Sequence, residues 1–161
     1  MMIYISCETG SKIMVSGASL AGADLSNLNL HRALLDNLDL TCCNFSGSCL
    51  RSAWLYGANL ARANLRGTSL AASNANKANF DDADLSNAMM RSGIFEGACF
   101  ANANLAGANV GRAVLASANL CGANLMCIEL ATANLAGAQY DEHTLWPANF
   151  DPQASGAVRS Y

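Results

Sequence analysis

The chain has 161 residues, a net charge of −3, and only 13% charged residues. That length suits one domain, and the weak acidity argues against direct nucleic-acid binding. No apolar run approaches the ~20 residues of a membrane span, and no basic-then-apolar opening suggests a secretory signal.

Residues 1–15 open with MMIYIS, a weakly alternating run with β-branched and aromatic residues that predicts a short strand. Ile13 and Val15 already fall in the phase of the repeat that occupies residues 16–140. Residues 1–15 are therefore expected to cap the open end of a repeat array, shielding its unpaired backbone.

Residues 16–140 are that array. From Leu20 to Tyr140 every fifth residue is apolar, 25 in succession with no insertion or slip in the count. Two positions before each centre stands a small residue, mostly Ala. One position before stands mostly Asn or Asp, as at Asp24, Asn29, Asn59 and Asn64. Gly is frequent two positions after, as at Gly22, Gly57 and Gly107. A period of five fits neither a helix face, which turns about 100° per residue, nor a long strand, whose faces alternate. To keep every centre inside, the chain must turn a corner in each unit. Each unit is then a short extended segment and a tight turn, and successive coils pair as parallel ladders about 4.8 Å apart. The reading is a solenoid of stacked coils.

The runs ANLARANLRG, ANLAGANVGRAVLASANLCGANL and ATANLAGA resemble the A(D/N)LXX signature of the pentapeptide-repeat family, over roughly residues 16–140. The resemblance is to bacterial, notably cyanobacterial, members. It implies an all-β fold, a right-handed quadrilateral parallel β-helix with 20 residues per coil. Twenty-five units give about six coils, a rod on the order of 30 Å long. The first repeats are the least regular, with Leu28 and Leu38 in the small slot. Ala75 is the one undersized centre, and Phe95, one coil on, is expected to fill part of its volume. Phe80 and Phe100, also one coil apart, are expected to stack.

The tail, 141–161, holds both prolines, Pro147 and Pro152, beside Trp146 and Phe150. It is read as an irregular or short-helical cap on the last coil, ending in a frayed terminus. The alternative is a homodimer contact through Trp146 and Phe150, as the resemblance to the gyrase-binding branch of the family implies.

The chemistry-bearing residues are sparse. The seven cysteines form no CxxC pair, and Cys43 reads as filler of a small slot. Free thiols favour a reducing, cytoplasmic setting. His31 and His143 have no nucleophile and carboxylate at a usable spacing. No phosphate loop appears. Neither an enzyme nor a metal, cofactor or small-molecule site is expected.

Surface columns carry the remaining signal. The Asn/Asp slot gives way to large apolar residues at Leu34, Trp54, Met89, Ile94 and Val114. All but Met89 fall in one column, with Tyr56 assigned to the same face. These six residues form the candidate contact surface, for a partner or for self-association, unless a terminus folds over it or the residues are merely scattered. His31, Arg51 and Arg91, with Arg32 and Arg112 beside them, form a basic column read as a solvated face. Asp81, Asp82 and Asp84 form a small acidic spot, also read as surface. The function expected is a rigid protein-protein interaction scaffold of unknown partner. The alternative, implied by the resemblance, is a DNA-mimicking protector of DNA gyrase. A short, weakly charged rod interrupted by arginines speaks against it.

Overall fold

The computed structural model describes residues 2–160, so the first residue of the expected N-terminal cap and the last of the tail lie outside the described residues. The chain opens with a hairpin rather than one strand. β1 (Met2–Ser6) pairs antiparallel with β2 (Lys12–Ser16), and Ile3, Ile5, Ile13 and Val15 turn toward the core. Ala18, in the small slot two positions before Leu20, is exposed, whereas that slot is buried from Ala53 to Ala123. It belongs to the connection that precedes the first rung, which is Asp24 on Asn44.

From there the backbone winds as a four-sided coil. Residues one coil apart bridge in parallel: Leu34 on Trp54, Asp39 on Asn59, Asn44 on Asn64, and so on up the stack. Every interior centre from Leu25 to Leu125 is fully buried, and the small residues two before them are buried from Ala53 to Ala123. Leu28 and Leu38, too large for the small slot, remain half-buried against the core. Where Cys43, Ser48 or Thr68 stands in that slot, the buried thiol or hydroxyl donates to a backbone carbonyl. The acceptors are Leu20, Leu25 and Phe45 in turn, so no polar atom is stranded there.

From Leu20 to Ala123 each corner is a β-turn. The amide of the small residue donates back to the preceding centre, as Ala33 does to Leu30 and Ala58 to Leu55. The third turn residue has φ near +60°, which explains the glycines but is also adopted by Asn27, Arg32 and Ala72. The Asn or Asp before the centre caps the turn. Asn64 Oδ1 accepts the Arg66 amide (3.2 Å) while its Nδ2 donates to Asn44 Oδ1 (3.0 Å) in the coil below.

The aromatic interior follows the column arithmetic. Phe80 and Phe100 stack with centroids 4.8 Å apart and planes 3° from parallel. Phe95 stands edge-on to both, 6.1 and 5.8 Å away. Gly93, in the small slot before it, gives the ring its room: a Cβ there would lie 2.6 Å from Phe95 Cε2.

The even count of five is broken near the end of the array. Asn109 pairs with Ile128, nineteen residues on, instead of Glu129. Glu129 takes a left-handed backbone (φ 60°) and reaches Arg91 Nη1 (2.6 Å) and Asn109 Nδ2 (3.3 Å). Gly111 leaves space for that carboxylate, and a 3₁₀ turn, Leu130–Thr132, returns the chain to phase. The tail has a helical turn of its own, where the Asp151 carbonyl accepts the Ser155 amide (3.2 Å) and Asp151 Oδ1 accepts those of Gln153 and Ala154 (3.0 Å each). The tail itself continues the coil. Leu145 bridges Asn124, and β4 (Val158–Arg159) pairs parallel with β3 (Gln139–Tyr140). Trp146 stacks on Phe150 (5.3 Å) and meets Tyr140 edge-on (5.4 Å), closing the end. The chain up to Ser160, whose amide donates to Tyr140, is laddered rather than frayed.

Candidate functional site

The column sits where its phase requires. Leu34 bridges Trp54, Trp54 bridges Asn74, Asn74 bridges Ile94, and Ile94 bridges Val114. Leu34, Trp54 and Ile94 are 45%, 39% and 39% exposed, and Val114 is half-buried. Among the described residues neither terminal segment covers them. Ser6 accepts the Leu34 amide and Glu8 donates to the Arg32 carbonyl, so the hairpin ends at the edge of the column. Asn74 interrupts the stripe in the middle. It shares the same twenty-residue phase and keeps the Asn that this slot usually holds.

Two residues of the candidate surface lie elsewhere. Met89 is exposed on the preceding face, between Ser69 and Asn109. Tyr56 is not on the flat face. It occupies the corner after Trp54, with the Lys77 ammonium 5.7 Å from its ring centre. An apolar residue before the centre cannot cap its own turn, and a neighbouring coil supplies the cap. Asp36 Oδ1 accepts the Tyr56 amide (2.7 Å), and Asn76 Oδ1 accepts that of Glu96 (3.0 Å).

The two corners flanking this face differ in charge. The corner before it carries His31, Arg32, Arg51, Arg91 and Arg112, and the corner after it carries Asp36 and Glu96, with Lys77. A groove of about 490 Å³ runs along the basic side and is lined by Trp54, Asn74 and Ile94 together with Glu8, His31 and Arg32. Arg32 is paired with Glu8 (2.6 Å) and Arg91 with Glu129 (2.6 Å). The slot before each centre gives no sign of the acidic corner. The corner slots repeat with the same period and disclose it.

A second hollow, about 540 Å³, lies at the C-terminal end between Cys121, Asp141, His143 and Arg159. The residue types suggest a nucleophile, but the groups are otherwise engaged. Asp141 Oδ1 accepts from Gly122 N (2.9 Å), His143 N (3.0 Å) and Thr144 Oγ1 (3.0 Å), and the Gly122 amide above all holds its carboxyl below the usual range. Burial pushes the Cys121 thiol up, away from the thiolate a nucleophile needs. Among the described residues no cluster of His, Cys, Asp and Glu could hold a metal, and no helix is long and apolar enough to cross a membrane.

A four-sided β-solenoid with Asn-capped corners and one apolar face defines a class of repeat proteins built from five-residue units. The chain belongs to the pentapeptide repeats family, which matches residues 16–51, 53–91 and 98–135 in eight copies, and its coil is that family's right-handed quadrilateral β-helix. It is similar to alr5209, a pentapeptide repeat protein from Nostoc, at 30% identity over 63% of this chain and 84% of that one, with a TM-score of 0.61. A trypsin-treated variant of QnrB1, a plasmid-mediated fluoroquinolone resistance protein, is 17% identical over 88% of this chain and 84% of its own, with a TM-score of 0.54. That likeness shows the fold alone. No curated protein matches the sequence.

Proposed function

We propose that the chain is a non-enzymatic, cytoplasmic interaction scaffold that presents the column Leu34, Trp54, Ile94 and Val114 to a protein partner. One observation carries this reading. An uncovered apolar stripe occupies slots that the repeat otherwise gives to Asn and Asp, on a backbone laddered from coil to coil. The cytoplasmic assignment is supported by seven cysteines that are all free thiols. Replacing Trp54 and Ile94 together by Asn, the residue the repeat uses elsewhere, tests the reading. Proteins captured from the native host by the wild type should be lost by the double variant at an unchanged thermal midpoint. A variant that captures them equally well overturns it.

Gyrase protection is the weaker reading. The acidic spot is partly neutralised by its neighbours, since Arg66 meets Asp84 at 3.2 Å and Arg62 lies 4.0 Å from Asp82. In a supercoiling assay the purified protein is expected to leave gyrase unaffected. Protection from quinolones would reverse the ranking, and neutralising Asp81, Asp82 and Asp84 should then weaken it.

A further inference from the structure

We propose that the occupant of this face is a second copy of the chain, packed as a parallel dimer whose two-fold axis runs along the rod. The inference rests on the reading of the column as a contact surface and adds which partner fits it. The face carries an apolar stripe between corners of opposite sign. With the rods aligned, two such faces can meet through only two kinds of two-fold axis lying in the interface. An axis across the rods sets basic corner on basic corner and acidic on acidic. An axis along the rods sets the basic corner of each copy against the acidic corner of the other, so that charge selects the parallel arrangement.

Four of the unpaired charges agree in register, while Lys77 on the acidic corner stands level with the uncharged Ala71 and Ala72 of the other copy. Among the described residues Arg51 and Arg112 have no carboxylate partner, and Asp36 and Glu96 have no cationic one. With the copies level, Arg51 stands opposite the turn at Tyr56, one coil from Asp36, and Arg112 stands one coil from Glu96 in the same direction. One coil is about 4.8 Å, within the reach of an arginine side chain. The same axis sets Leu34, Trp54, Ile94 and Val114 against their own counterparts. The stripe spans four coils, about 19 Å. With both corners, the two faces would bury on the order of 1,000 Å², the low end for specific interfaces, so the dimer should be weak and governed by its Trp54 pair and its charges.

Sedimentation velocity of the full chain from about 1 to 200 µM tests the proposal. The wild type is expected to pass from monomer to dimer in the tens of micromolar, at a higher concentration when salt is raised. Trp54→Asn should weaken association at least tenfold with the thermal midpoint unchanged. Arg112→Glu should weaken it several-fold, and the double variant Arg112→Glu/Glu96→Arg should recover wild-type association. The first substitution is compatible with its corner, because Glu129 already adopts that left-handed backbone. A wild type that stays monomeric at 200 µM overturns the dimer but leaves the scaffold reading to the capture experiment. A dimer insensitive to Trp54→Asn overturns this interface. A dimer lost with Trp54→Asn but not rescued by the charge exchange overturns the parallel arrangement.

Discussion

Adding one methyl group at Gly93 should cost as much as many larger core substitutions. Gly93 is buried in the small slot before Phe95, and its φ is not in the left-handed region, so the backbone itself would accept alanine. The obstacle is the ring. A Cβ would lie 2.6 Å from Phe95 Cε2, 3.0 Å from Cζ and 3.1 Å from the Met90 carbonyl. Phe95 cannot swing aside, because Phe80 and Phe100 stand edge-on to it as a stacked pair. Overpacking of this kind costs about 1–3 kcal/mol. For a chain of this length that lowers the thermal midpoint by roughly 2–4 °C per kcal/mol. The double variant Gly93→Ala/Phe95→Leu recreates the Ala53–Leu55 pairing used two coils below in the same column. The alanine should therefore be nearly neutral in the Phe95→Leu background, a coupling of about 1–3 kcal/mol. Thermal denaturation of the four proteins gives the cycle. A Gly93→Ala cost below about 0.5 kcal/mol, the size of an ordinary surface change, would refute the packing argument.

Three further outcomes can be checked. Leu65→Ala should lose about 2–5 kcal/mol by denaturant unfolding, and Leu65→Asp should fail to fold, because that centre is fully buried. The carboxyls of Asp39 and Asp24 are held below their ordinary value, first by the Thr41 and Ser26 side chains respectively. Their contribution is therefore complete above about pH 4 and is lost as pH falls through the depressed folded values. Asp39→Asn should accordingly flatten the acid limb of stability against pH. Burial pushes the Cys127 thiol up to about 12, whereas Cys42 is exposed, so native thiol titration at pH 8 should modify Cys42 well before Cys127.

The coil is legible in the sequence because one residue in five must point inward, and that demand writes itself on every unit. The Phe80–Phe100 stack comes from the same arithmetic. What escapes is set by contacts between coils rather than within a unit. Glu129 leaves the phase because Arg91 and Asn109, two coils and one coil away, offer its carboxylate partners over the open space at Gly111. The tail's ladder escapes because Val158 and Leu145 pair by backbone, to which side-chain type is nearly indifferent, and its prolines point instead to chain breaking. At the candidate face, Leu34, Trp54 and Ile94 can be read from their slot. Tyr56 cannot, since one position after the centre the chain has already begun its corner.

The uneven pairing near the C-terminus has a consequence for how this chain tolerates changes in length. Asn109 finds its rung nineteen residues on, Asn124 twenty-one and Gln139 nineteen, yet the ladders stay intact. The stack is thus gauged by hydrogen bonds between coils rather than by residue number, and a corner can absorb one residue more or less if its neighbours release space. In the middle, a deletion would throw every later side chain off its face, reversing inside and outside along the rest of the rod. Near residues 126–158 the error would have little rod left to spoil. The last coils are therefore where the molecule can drift in length while Leu34, Trp54 and Ile94, more than thirty residues upstream, keep their geometry; Val114, which bridges Asn134, would feel the change.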